Sequence, residues 1–294
     1  MSSSLHAQSL LAWIDVQPAL LDPEWFRGLE RRKREEAAFH DNERSVEENG
    51  STRRVTRVGS NERFYEAAAP VRAYVEAWLS RTVPGHTFLD YACGNGGRAI
   101  EAARAGAELA VGIDISPVSV HNATRDAARS GLAGRTRFLQ RDCEATGFPN
   151  NSFDSCLCSG MLHHLDLAIA LPELQRIMAA GGRILCMEAL GYNPVIQWYR
   201  KRTPHLRTAW ERDHILTLHE VDFARRWFHV ENVRFHLIAA PIGVLAPRGL
   251  RAPAISLGHA LDIVLTKIPL VQRLSWMFTF ELVKTMGMHA DAIE

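Results

Sequence analysis

Phe88-Leu-Asp-Tyr-Ala-Cys-Gly-Asn-Gly-Gly97 sets the fold class of this chain. An apolar run ends in a turn that carries Gly94, Gly96 and Gly97, and a helical pattern over about 96–105 follows at once. A turn so poor in Cβ atoms lets a ligand approach the backbone, and the free amides of the next helix favour negative groups there. Glycine in such a turn also has purely steric uses, so the neighbouring residues must decide.

Around this turn, short apolar runs alternate with helical stretches from Thr87 to Leu190. The runs predict strands at 87–91, 109–113, 135–140, 153–158 and 183–188, with helices near 96–105, 117–130 and 167–179. This alternation is the pattern of βαβ units on a parallel sheet. Ser116 followed by Pro117 reinforces it as an N-cap and first helical residue. Further strands are expected at 230–239 and 276–285. Before the sheet, residues 5–79 show helical spacing, broken near Asn49, Gly50 and Ser51. Arginines at 27, 31, 32, 53, 54 and 57 interleave with acids between Glu30 and Glu48, which reads as a solvated helix face and not as a basic patch. Residues 1–60 are therefore expected as a helical extension, 61–190 as a cofactor-binding core, and 191–294 as a substrate-covering insertion with the last strands of the same domain.

Two acids give the turn its chemistry. Asp114 closes the second strand, where a carboxylate can accept from both hydroxyls of a ribose, and Asp142 follows the third, within reach of an adenine amine. Gly94-Asn-Gly-Gly-Arg-Ala99 also matches the dinucleotide pattern GxGxxA. Asp90 speaks against a dinucleotide, because a charge two residues ahead of Ala92 would repel a pyrophosphate and suits the ammonium of an amino-acid moiety.

On these residues the sequence resembles the class I S-adenosylmethionine-dependent methyltransferases. Residues 88–96 look like their glycine-rich first motif, with Ala92 as a departure from glycine. Phe148-Pro-Asn-Asn-Ser-Phe-Asp154 and Ser159-Gly-Met-Leu-His-His-Leu165 resemble the fourth-strand motif, and Leu174 to Leu185, with Gly181-Gly182 before the strand, resembles the fifth. The resemblance implies a Rossmann-like α/β fold with a seven-stranded, mostly parallel sheet and an antiparallel last strand. It implies S-adenosyl-L-methionine as cofactor, held by Asp90, Ala92, Cys93, Gly94, Gly96, Asp114, Ile115, Asp142, Cys143 and Ser159.

Methyl transfer from a sulfonium is an in-line displacement, so the protein chiefly aligns the reactants and, for a hydroxyl acceptor, removes a proton. His163 and His164, after strand four, are the candidate bases. Tyr192, Arg200, His205 and Arg207 lie in the insertion expected over the site, where cations can hold a carboxylate or phosphate. Cys156 and Cys158 share one face of a buried strand and read as packing.

Composition narrows the partners. Lys plus Arg total 34 against 33 Asp plus Glu in 294 residues, which argues against nucleic acid and for a small-molecule acceptor, most simply an oxygen of an apolar metabolite, lipid or natural product. Nitrogen or carbon acceptors, a nicotinamide-dependent oxidoreductase and a non-catalytic cofactor binder are the rival readings. The five cysteines show no metal or disulfide spacing, so no metal is expected and a cytoplasmic setting fits. No transmembrane segment is expected, while peripheral membrane contact and a monomer or homodimer stay open. The apolar zone after Leu237 reads either as a lid over a greasy substrate or as packing and a dimer contact, with packing favoured.

Overall fold

The computed structural model describes residues 2–43 and 61–285. Strands β1 (Thr87–Tyr91), β2 (Leu109–Asp114), β3 (Thr136–Gln140), β4 (Phe153–Ser159), β5 (Met178–Ala189), β6 (His229–His236) and β7 (Met277–Val283) form one sheet in the order β3-β2-β1-β4-β5-β7-β6. The first five strands are parallel, and β7 runs antiparallel between β5 and β6. β1 and β2 are buried at every residue, which is why they read as continuous apolar runs in the sequence.

Helices cover both faces. α1 (Ser2–Asp15), α2 (Pro23–Gly28) and α3 (Arg31–Glu43) precede α4 (Ala69–Thr82). α5 (Gly97–Arg104), α6 (Pro117–Arg129) and α7 (Leu167–Ile177) are the crossovers between parallel strands. α8 (Pro194–Arg202), α9 (Ala209–Asp213) and α10 (Leu218–Ala224) fill the segment between β5 and β6, and α11 (Ala240–Gly243) and α12 (Arg248–Leu265) that between β6 and β7. Ser116 caps α6 by accepting from Ser119 N at 3.0 Å, as its sequence position predicts. The break expected near Asn49 and the arginines at 53, 54 and 57 lie outside the described residues.

Two boundaries differ from the sequence reading. α7 ends at Ile177 and β5 begins at Met178, because Met178 already pairs with Phe153 of β4 before the register shift that precedes Ser155. β6 ends at His236, since Leu237 has φ +67 and leaves the ladder. The N-terminal segment is tied across the β3 edge: Gln140 N donates to Ala19 O at 2.7 Å and Arg137 Nε to Asp15 at 2.7 Å. That anchoring carries α3 over the carboxyl ends of the strands.

The glycine turn is organised by one aromatic ring. A Cβ on Gly96 (φ +76) would lie 2.6 Å from Ala123 Cβ and 2.7 Å from the Phe138 ring, and one on Gly112 would lie 2.6 Å from the same ring. Phe138 therefore sits across two positions where no side chain is possible.

Candidate active site

A cavity opens at the carboxyl ends of β1 to β4, as the topology of an open α/β sheet dictates. Its wall includes Ala92, Asp114, Ile115, Asp142, Cys143 and Ser159. Asp114 is buried; its Oδ2 accepts from Gly94 N at 2.8 Å and its Oδ1 from Ser116 N at 2.9 Å, which fixes the carboxylate. Ala92 holds φ +59, a conformation that costs a residue with a Cβ about 1–2 kcal/mol.

Asp90, Cys93, Gly94 and Gly96 are not part of that wall. Asp90 Oδ2 accepts from Ala99 N at 3.0 Å and so holds the first turn of α5. Burial lifts its carboxyl to about 7 against the pull of that amide and of Arg98. Cys93 N donates to Ile113 O at 2.8 Å and Gly94 N to Asp114, so this turn braces Asp114 from behind.

The far wall is a surprise of the fold. Arg32, Lys33, Glu36 and His40 of α3 close the cavity, together with Gly160, Met161, His164 and Leu165. Lys33 Nζ lies 2.6 Å from Asp142 Oδ2 and 2.7 Å from Glu144 Oε2, and Arg32 Nη2 lies 2.9 Å from Glu144. Ser116 donates to Asp41 on the same helix. The expected solvated face of α3 is thus buried on one side. The spacing 32, 33, 36 and 40 places these residues on one helical stripe, a signal hidden among charges of both signs.

The two histidines have different work. His163 Nδ1 donates to Glu188 Oε2 at 2.7 Å, and the other oxygen of that fully buried carboxylate accepts from Met161 N and Leu162 N at 2.8 and 2.7 Å. Glu188 so gathers the loop after β4, and His163 is outside the cavity wall. His164 is in it. Its Nδ1 faces Glu36 Oε2 at 3.0 Å, while Thr208 donates to Glu36 Oε1 and fixes the carboxylate. Burial disfavours the charged imidazole, yet the Glu36 carboxylate outweighs it and raises His164 above its ordinary value. His40 Nε2 stands 3.8 Å from the same Glu36 oxygen.

Of the insertion residues, Arg200 and Arg207 converge on Glu211, at 3.4 Å each, and Glu211 stands 4.0 Å from His163 Nε2. Burial and the neighbouring Arg207 lower Arg200. Tyr192 accepts from Leu218 N at 3.1 Å, which commits its hydroxyl to the start of α10. His205 is exposed on a short turn over Pro204–Leu206 and does not join this cluster.

Comparison with known proteins agrees with the geometry. Residues 89–186 match the methyltransferase domain family. A sterol 24-C-methyltransferase of Aspergillus fumigatus is 31% identical over 134 residues, 45% of this chain and 35% of that protein. A ribosomal protein L11 methyltransferase of Burkholderia mallei is 35% identical over 122 residues, 41% of this chain and 38% of that one. Residues 89–186 are a class I S-adenosylmethionine-dependent methyltransferase domain. The chain spans little more than a third of the length of these curated relatives. In fold, it resembles a geranyl diphosphate C-methyltransferase of Streptomyces coelicolor with a TM-score of 0.55 at 15% identity, over 87% of this chain and 98% of that one. By their names these three act on a sterol, a ribosomal protein and geranyl diphosphate, so family membership does not carry the acceptor with it.

The donor set suits the family's cofactor: a fixed acid at the end of β2, a second after β3, and Ala92, Ile115 and Cys143 as apolar surface between them. The cavity itself measures about 120 Å³, below the roughly 300–1,000 Å³ of small-molecule sites. Lys33 and its helix line the side of it that faces Asp142. Among the described residues no helix is long and apolar enough to cross a membrane.

Proposed function

We propose that the chain transfers a methyl group from S-adenosylmethionine to an oxygen of a small, largely apolar molecule. The observation that carries this reading is the His164–Glu36 pair in the wall of the cavity that also holds Asp114 and Asp142. When bound, S-adenosylmethionine supplies an electrophilic methyl group on a sulfonium. Asp114 would hold the ribose hydroxyls, Asp142 the adenine amine once Lys33 is displaced, and Ala92 and Cys143 the apolar faces between. Glu36 orients the imidazole of His164, which takes the proton of the acceptor hydroxyl as the new bond forms. Met161 and Leu165 give the acceptor an apolar surface beside it.

The test is calorimetric binding of S-adenosylmethionine and S-adenosylhomocysteine, followed by mass spectrometric screening of hydroxylated apolar acceptors. Asp114→Ala is expected to weaken cofactor binding by about 1–3 kcal/mol. His164→Gln is expected to lower turnover by about a hundredfold or more with cofactor affinity unchanged. Product NMR separates methylation at oxygen from methylation at carbon. Glu36, His40 and His164 also bring three ligand atoms within 4.8 Å of one another, the spacing of a metal site. Turnover unaffected by a chelator supports the proton-transfer role, and its loss would reassign the three residues to a metal ion.

A further inference from the structure

α12 departs from the usual pattern of a surface helix, whose outward face is polar. From Ala252 onward its exposed residues are apolar save Ser256. Leu250, Leu257, Leu261 and Val264 recur at helical spacing and are 49% to 64% exposed. Leu245 before the helix and Leu270 after it are 63% and 71% exposed and prolong the surface. The inner side is fixed: a Cβ on Gly258 would lie 2.5 Å from Ala240, His259 reaches Ala67 O at 2.8 Å, and Asp262 accepts from Ile238, Ala239 and Ala240 N. The apolar face is thus a rigid outer surface about 27 Å long and not a loosened piece of core.

The unpaired charges that α12 and its flanking turns expose have one sign. Asp262 is the only acid between Glu231 and Glu281, and it is buried on the inner side. Arg248, Lys267 and Arg273 are exposed at the two ends of the stripe, while Arg251 is paired with Glu66. A second copy of the chain docked on this face about a two-fold axis would bring these cations against one another with no acid of the face between them. An anionic lipid surface meets both demands, taking the leucines into its boundary and the cations at its headgroups. The surface also adjoins the connection between β5 and α8, since Asn193 donates to Leu274 O at 2.6 Å and Arg273 lies over the Tyr192 ring. α8, which Asn193 caps, exposes Val195 and Trp198 beside it.

We propose that the outer face of α12 seats the protein on an anionic membrane surface. This seating does not rest on the proposed function. The test is co-sedimentation of the full chain with phosphatidylcholine vesicles with and without phosphatidylglycerol. Binding is expected only with the anionic lipid and is expected to weaken with salt. Replacing Arg248, Lys267 and Arg273 together by Gln should lower vesicle affinity on the order of a hundredfold. Leu257→Glu with Leu261→Glu should abolish binding. S-adenosylhomocysteine affinity, measured on each variant, reports the fold and the methyltransferase reading separately. Absence of binding to either vesicle overturns the proposal, as does binding that ignores these substitutions. A dimer in light scattering that Leu257→Glu dissolves, with no vesicle binding, would assign the face to a second copy instead.

Discussion

Gly96 and Gly97 are adjacent in sequence and opposite in what they permit. At Gly96 the backbone has φ +76, and a methyl group would stand 2.6 Å from Ala123 Cβ and within 2.9 Å of two Phe138 ring atoms. Gly96→Ala adds about 1–2 kcal/mol of backbone strain to about 1–3 kcal/mol of overpacking, hence a loss of about 2–5 kcal/mol. At Gly97 the space is open to 4 Å and the residue begins α5. Gly97→Ala should be neutral or should stabilise by about 0.4–1 kcal/mol by restricting the unfolded chain. Urea unfolding of both variants beside the parent measures the two numbers directly. Stability rather than cofactor affinity should carry the Gly96 loss, because Gly96 is not in the cavity wall. A Gly96→Ala protein within about 0.5 kcal/mol of the parent would refute the steric argument, and a large drop in affinity at unchanged stability would return Gly96 to the ligand.

Other outcomes follow from the charged groups. Asp90 is raised to about 7, so between its ordinary 3.8 and about 7 the folded chain keeps a proton that the unfolded chain releases, and stability falls as pH rises through that window. Asp90→Asn, which can still accept from Ala99 N, should flatten this fall in thermal scans from pH 4 to 8. His164 is raised by Glu36, so turnover should climb with pH along a limb above the ordinary imidazole value of 6.5, and Glu36→Gln should shift that limb to lower pH; a limb that stays in place would remove Glu36 from the base. The same ion pair stabilises the fold at low pH and ceases to do so as pH rises through the His164 value. Lys33→Ala frees Asp142 and widens the cavity, and S-adenosylhomocysteine should then bind faster in stopped-flow fluorescence; an unchanged association rate would show that α3 does not stand in its path.

What the sequence discloses depends on whether a residue's surroundings are local. β1 and β2 are legible because burial on both faces leaves an unbroken apolar run, and Ser116 because capping is settled within three residues. Asp114 is legible because a strand end fixes its place. Lys33, Glu36 and His40 are hidden, since their partners Asp142, Glu144 and His164 are more than 100 residues away and only the tertiary fold brings them together. Arg200 and Arg207 illustrate the converse: their charge is plain in the sequence, yet Glu211 takes much of it. The two histidines look equivalent as a doublet. Only Glu188 and Glu36, on β5 and α3, assign one to the loop and the other to the cavity.

The roof over the cavity is part of the chain itself. The grip of this helix, α3, consists of Lys33 on Asp142 and Glu144, Arg32 on Glu144 and the Asp41 contact with Ser116. Where opening of these ion pairs limits cofactor exchange, added salt, which weakens them, should quicken a cycle that the chemistry alone would leave indifferent to it.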